Sequence, residues 1–113
     1  ALDAFVLVTP EYNHGTSPAL LNALDYLFVE WHYKPVAFVS YGGISGGLRG
    51  VQHTKTTLAA MRMVPIIEAI TIPFAAKAVE AGVFKANEQH EQSAAQILDE
   101  LLRWTTALAS LRT

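Results

Sequence analysis

Two short apolar runs, residues 4–8 and 36–40, each break into a turn studded with glycine, and each turn leads into a segment of helical periodicity. Runs that are apolar throughout, rather than alternating, suit parallel strands covered on both faces. The first turn is Thr9-Pro10-Glu11-Tyr12-Asn13-His14-Gly15, and the second is Tyr41-Gly42-Gly43-Ile44-Ser45-Gly46-Gly47. In open α/β sheets, ligands lie in the crevice outside the carboxyl ends of the strands, so two such loops side by side mark a site. Glycine there lets the backbone approach a flat ligand with no Cβ in the way.

The rest of the chain extends the same rhythm. Ser17-Pro18 is a helix start, a hydroxyl N-cap with proline at the first helical position. Leu20, Leu24, Leu27 and Trp31 recur at helical spacing, while Asn22, Asp25 and Glu30 take the other side, so a helix is expected to run to about His32-Tyr33. After the second turn, Leu48, Val51, Leu58 and Met61 form one stripe of an amphipathic helix, with Arg49, Gln52, His53 and Thr56 elsewhere. Residues 66–72, β-branched and bounded by Pro65 and Pro73, read as a third strand. Residues 73–84 read as a loop with a short turn. Asn87 then caps a long last helix, with Glu88 well placed in its first turn and a core stripe through Ala94, Ile97/Leu98, Leu101, Trp104/Thr105 and Leu108. The order β-α-β-α-β-α implies a parallel sheet with right-handed crossovers.

The 113 residues suit one domain. Apolar residues make up 51% and charged ones only 16%, so surface is left to hide and a subunit interface is expected. The net charge of −2, with no run of Lys or Arg, gives no reason to expect a nucleic acid or an acidic membrane as partner. The chain has no cysteine, which rules out disulfides, thiol catalysis and Cys-based metal sites of its own. The four histidines show no ligand spacing, so no metal site is expected. No stretch approaches the about 18 apolar residues of a membrane span, and a cytoplasmic protein is the expectation. The sequence opens on Ala1-Leu2 and enters a strand almost at once, which reads as a piece of a longer protein.

The string Asp3-Ala4-Phe5-Val6-Leu7-Val8-Thr9-Pro10-Glu11-Tyr12-Asn13, the helix from Ser17-Pro18 to Asp25, and Lys34-Pro35-Val36 leading to Gly42-Gly43 and Gly46-Gly47 together resemble the NADPH-dependent FMN reductase family. The resemblance is strongest over residues 3–50. It implies a flavodoxin-like three-layer α/β sandwich with a parallel sheet, present as a single domain over 1–113 that lacks the family's N-terminal βαβα portion and its phosphate-binding loop. The three strands would be the third, fourth and fifth of a 2-1-3-4-5 sheet. The activity implied is an NAD(P)H-dependent FMN oxidoreductase, with two electrons passing from the nicotinamide through FMN to a quinone-like or other small acceptor. Pro10, Glu11, Tyr12 and Asn13 would wrap one edge of the isoalloxazine, and Tyr41, Gly42 and Gly43 would approach it from the adjacent loop. No side chain is expected as a catalytic acid or base. The resemblance also implies a homodimer or homotetramer, with the helix after Asn13 and the loop after Tyr41 at the contact.

Two other readings stand beside it. Gly43-Ile44-Ser45-Gly46-Gly47 fits G-x-S-x-G between a strand and a helix, the setting of a hydrolase nucleophile, with Glu68 or Glu80 and then His90 in a permitted order. A non-catalytic flavodoxin-like scaffold is the other. No dinucleotide fingerprint or Walker A lysine is present, so the nicotinamide would visit as a substrate. Glu11 and Arg49 read as solvated charges or as an ion pair between subunits. Trp31, Phe28 and Tyr33 read as core or interface packing.

Overall fold

Three parallel strands, β1 (Phe5–Pro10), β2 (Pro35–Tyr41) and β3 (Val64–Ile72), form a sheet in the order β1-β2-β3. The computed structural model describes residues 2–112; Ala1, where the sequence opens, and Thr113 lie outside it. β1 and β2 pair without interruption from Phe5 opposite Val36 to Pro10 opposite Tyr41. The two glycine turns therefore leave the same end of the sheet side by side.

β2 is the central strand, and its alternate residues feed two cores. Val36 and Phe38 join Leu24 of α1 (Pro18–Asp25), Val51 and Leu58 of α2 (Leu48–Ala60), Met61 and Met63, with Phe5, Leu7, Leu20 and Trp31 packed around them. Ala37 faces the other way, joining Ile66 of β3 to Ile97 and Leu101 of α3 (Glu88–Leu108). Helices thus cover both faces, which is the three-layer α/β sandwich expected from the apolar runs.

α1 ends at Asp25, well short of His32-Tyr33. The segment beyond it is rich in aromatic and β-branched residues, which hold a helix weakly. Instead a single 3-10 turn, Val29–Trp31, swings Trp31 back so that its indole N–H donates to the Leu24 carbonyl at 2.9 Å and its ring meets Phe5 edge-on. That bond satisfies a carbonyl the ending helix would leave open. Leu27 and Phe28 are exposed as a result, so Phe28 is not core.

β3 begins two residues before the expected start and includes Pro65. The β2–β3 register shifts between Val36 and Phe38, directly after the Val36–Pro65 pair, and such an irregularity is where a sheet tolerates a residue without an N–H. Residues 73–84 hold more order than a loop. They form a 3-10 turn, Ala75–Ala78, then a small antiparallel hairpin of β4 (Val79–Glu80) and β5 (Val83–Phe84). Ala81 and Gly82 at its tip both have positive φ, at 50° and 78°.

α3 starts as expected. Asn87 Oδ1 accepts the His90 N–H at 2.8 Å, and His90 Nδ1 accepts the Asn87 N–H at 3.2 Å, a reciprocal capping box. Its stripe is narrower than expected, because the helix packs chiefly on β3 and β2. Ile97, Leu101 and Leu108 are buried, whereas Leu98 and Trp104 fall on the flanks and are exposed, so Trp104 is not part of the core. Leu48 of α2 is likewise exposed. β1 is the edge of the sheet and is open to solvent on its α3 side, where Val6 and Val8 are exposed. No helix among the described residues is long and apolar enough to cross a membrane.

Candidate functional site

The loop after β1 folds on itself. Tyr12 N–H donates to the Gly15 carbonyl at 3.1 Å and Gly15 N–H to the Tyr12 carbonyl at 2.8 Å, closing a one-pair bridge. Asn13 and His14 at its tip have φ of 51° and 69°, the left-handed pair that a type I′ turn requires. Asn adopts that conformation more readily than most side chains. The turn holds Tyr12 and Asn13 exposed beyond the end of the sheet. Ser17 occupies the N-cap of α1 and Pro18 follows at the first helical position, but the Ser17 hydroxyl makes no capping bond, contrary to expectation.

The second loop is stitched to the end of β3. Gly42 N–H donates to the Ile72 carbonyl at 3.2 Å, Ala75 N–H to the Gly42 carbonyl at 3.2 Å, and Phe74 N–H to the Gly43 carbonyl at 2.9 Å. These bonds occupy the inward groups of Gly42 and Gly43. Among the described residues, the N–H groups of Gly43, Ile44 and Ser45 have no partner, and a Cβ built on Gly43 meets nothing within 4 Å. Three successive free donors, with open space beside the first, form a cradle available to acceptor atoms of a ligand.

Glu11 joins the two loops. Its Oε1 accepts the Gly50 N–H at 2.8 Å, in the first turn of α2. Its Oε2 accepts from Arg49 Nε at 3.1 Å and Nη2 at 2.9 Å, and the Ser45 hydroxyl donates to the same carboxylate at 3.3 Å. The N-cap of α2 is Gly47, which has no side chain to offer, so a carboxylate from another loop caps the positive end of the helix. Gly50 makes this fit possible: a Cβ there would lie 2.9 Å from the Gly15 carbonyl oxygen and 3.2 Å from Glu11 Cα. Thr16 and Thr54 hydroxyls, 2.8 Å apart, tie the loop to α2 one turn further along. The Glu11–Arg49 pair therefore lies within one chain, neither between subunits nor as two solvated charges.

Desolvation pushes the Glu11 carboxyl up, but the Gly50 N–H, the Arg49 guanidinium and the Ser45 hydroxyl together outweigh it and hold it below its ordinary value of 4.5. A carboxylate depressed in the folded state contributes stability that is full above the unfolded value and is lost as pH falls through the folded one. Wild type should therefore melt above Glu11→Gln at neutral pH, and the gap should close as pH drops below 4.5. A constant gap in melting curves recorded across that range would mean that the charge contributes nothing.

All seven residues singled out in the sequence lie at this end of the sheet: Pro10 and Tyr41 are the last, paired residues of β1 and β2, Glu11, Tyr12 and Asn13 follow the one, and Gly42 and Gly43 the other. The Glu11 side chain turns into the α2 cap. Ser45 is bonded to Glu11 rather than to a histidine, and His90 is spent in the α3 cap and stacked on Phe84, so no hydrolytic triad is assembled. No group of three or more His, Asp or Glu side chains among the described residues is placed to hold a metal. Sequence reasoning missed Gly50, whose signal was a glycine in the first turn of a helix that lacks a capping side chain.

The sequence pattern of the NADPH-dependent FMN reductase family matches residues 1–77. The chain belongs to that family. It is 47% identical over 73 residues to an NAD(P)H-dependent FMN reductase of Schizosaccharomyces pombe, covering 63% of this chain and 36% of the relative. It is 33% identical over 104 residues to an NAD(P)H-dependent FMN reductase of a Nectria species, covering 88% and 52% respectively. This family member thus spans only about a third to a half of those relatives. Among solved structures, the FerB flavoenzyme NAD(P)H:(acceptor) oxidoreductase of Paracoccus denitrificans superposes over 93% of this chain and 62% of its own, with a TM-score of 0.73 at 24% identity, a likeness of fold.

Proposed function

We propose that these loops form the ring-binding wall of an NAD(P)H-dependent FMN oxidoreductase that delivers two electrons to a quinone-like or similar small acceptor. The observation that carries the reading is the cradle: free N–H groups at Gly43, Ile44 and Ser45, open space at Gly43, and the exposed Tyr12–Asn13 turn on the neighbouring strand. FMN, when bound, supplies the acceptance and release of a hydride equivalent. The chain's own part is to hold and orient. Backbone donors suit the carbonyl and nitrogen atoms along one edge of an isoalloxazine, and Tyr12, 54% exposed, offers a ring face to the flavin or to an incoming acceptor. No side chain is needed as an acid or base for transfer between stacked rings. Family membership, and relatives named as FMN reductases, support the same reading.

The protein acts as a homodimer or homotetramer in the cytoplasm. Tyr26, Phe28 and Val29, exposed together after α1, support an interface on that side. The test is to titrate the intact protein with FMN, following quenching of flavin fluorescence, and then to follow NAD(P)H oxidation with a quinone present. Stoichiometric binding and flavin-dependent turnover are expected. Protein that stays colourless in excess FMN would overturn the reading.

A further inference from the structure

We infer that Glu11 is a positioning residue that sets the spacing between the two walls of the flavin groove. The inference rests on the proposed flavin site and deepens it. The Glu11 carboxylate ties the loop it stands in, one residue before Tyr12, to two other segments: the glycine turn, through the Ser45 hydroxyl, and the first turn of α2, through the Arg49 guanidinium and the Gly50 N–H. Ser45 carries one of the three free N–H groups of the cradle, so fixing its side chain fixes where that donor points. Glu11 also fixes the base of the Tyr12–Gly15 bridge, because Gly50 packs against both Glu11 and the Gly15 carbonyl.

The carboxylate suits this task better than a neutral group. Arg49 approaches Oε2 with both Nε and Nη2, two charge-assisted contacts on one oxygen, while Oε1 accepts the Gly50 N–H. The Glu11 side chain is 10% exposed, so few water molecules compete for it, while Arg49 remains 47% exposed and keeps part of its hydration. Removing the carboxylate leaves the Gly50 N–H without its acceptor and releases Arg49 and Ser45 together. The Thr16–Thr54 contact and the β1–β2 pairing still join the two loops at their bases, but the glycine turn loses its tie to the residue before Tyr12. A flavin held by backbone donors on one wall and a turn on the other senses that change although Glu11 itself lies against α2.

The experiment measures FMN affinity of the intact protein for wild type, Glu11→Gln, Glu11→Ala, Gly50→Ala and the Glu11→Ala/Gly50→Ala pair, each well below its own melting temperature. Visible circular dichroism of the bound flavin is recorded at saturation, because it reports the ring's surroundings and not the stability of the fold. Glu11→Gln and Gly50→Ala are each expected to raise the Kd about tenfold and to alter the flavin spectrum. The double variant is expected to bind no worse than its weaker parent, since both changes loosen the same clamp. Should Glu11→Ala fail to fold, Glu11→Gln and Gly50→Ala decide the matter. Folded variants whose Kd stays within about twofold of wild type, with an unchanged flavin spectrum, would overturn the inference and leave the flavin site standing. Wild type that does not bind FMN would instead remove the flavin site, and the inference with it.

Discussion

Phe38→Ala should lower the free energy of unfolding by about 3–5 kcal/mol, the usual cost of emptying a well-packed aromatic site. Phe38 is 1% exposed at the middle of the central strand and is the largest of the fully buried side chains. Around it stand residues from α1, α2 and β2 itself, so a cavity there cannot be closed by moving one element. The loss is large against the total stability of a small domain, roughly 5–15 kcal/mol. Urea melts of the intact protein give the number. Ile67→Ala is the control: at 85% exposed on β3, Ile67 should change stability by no more than about 0.5 kcal/mol. Comparable losses for the two would mean that the core is not organised on β2.

The strands were legible because each is a short, largely apolar and β-branched run bounded by turn signals, although only β2 is buried on both faces. β2 shows this most plainly: Val36, Ala37 and Phe38 read as one run and are divided between two cores. Helix lengths were less legible. The spacing of Leu20, Leu24, Leu27 and Trp31 continues a helical stripe, yet Trp31 reaches the core by a hydrogen bond to Leu24 after the helix has ended. Periodicity records which side chains face inward, not the backbone route that brings them there. The hairpin after β3 went unseen because strands of two residues carry no pattern, and its turn rests on Ala81, a residue that seldom takes positive φ.

The site was half legible in the same sense. Glycine at a strand end points to a close backbone approach, and the turn residues of the other loop point to a fixed tip. The cap was hidden, because it joins Glu11 to Gly50 across 39 positions and neither residue suggests the other. Capping is normally sought next to the helix it serves. Here the neighbouring position is Gly47, and its missing side chain was the clue that an acceptor for the helix's free N–H groups had to come from elsewhere.

Gly46→Ala and Gly43→Ala should part company, and this is the second large effect. Gly46 has φ +63°, and a Cβ on it would lie 2.5 Å from Thr71 Cγ2 and 2.9 Å from the Pro73 nitrogen. The left-handed conformation alone costs an L-residue about 1–2 kcal/mol. The contact with Pro73 is with backbone, which cannot step aside as a side chain can, so the glycine turn must lift from the end of β3. That movement breaks the bonds from Phe74 and Ala75 to Gly43 and Gly42. Gly46→Ala should therefore lose about 2 kcal/mol or more and lose FMN binding with it. Gly43 is the opposite case. A methyl there meets nothing in the protein, so stability should stay within about 0.5 kcal/mol of wild type. If the space in front of Gly43 belongs to the flavin ring, however, the methyl occupies it, and FMN affinity should fall at least about tenfold at unchanged stability. Gly43→Ala protein that melts as wild type and binds FMN as tightly would place the ring somewhere other than against this turn.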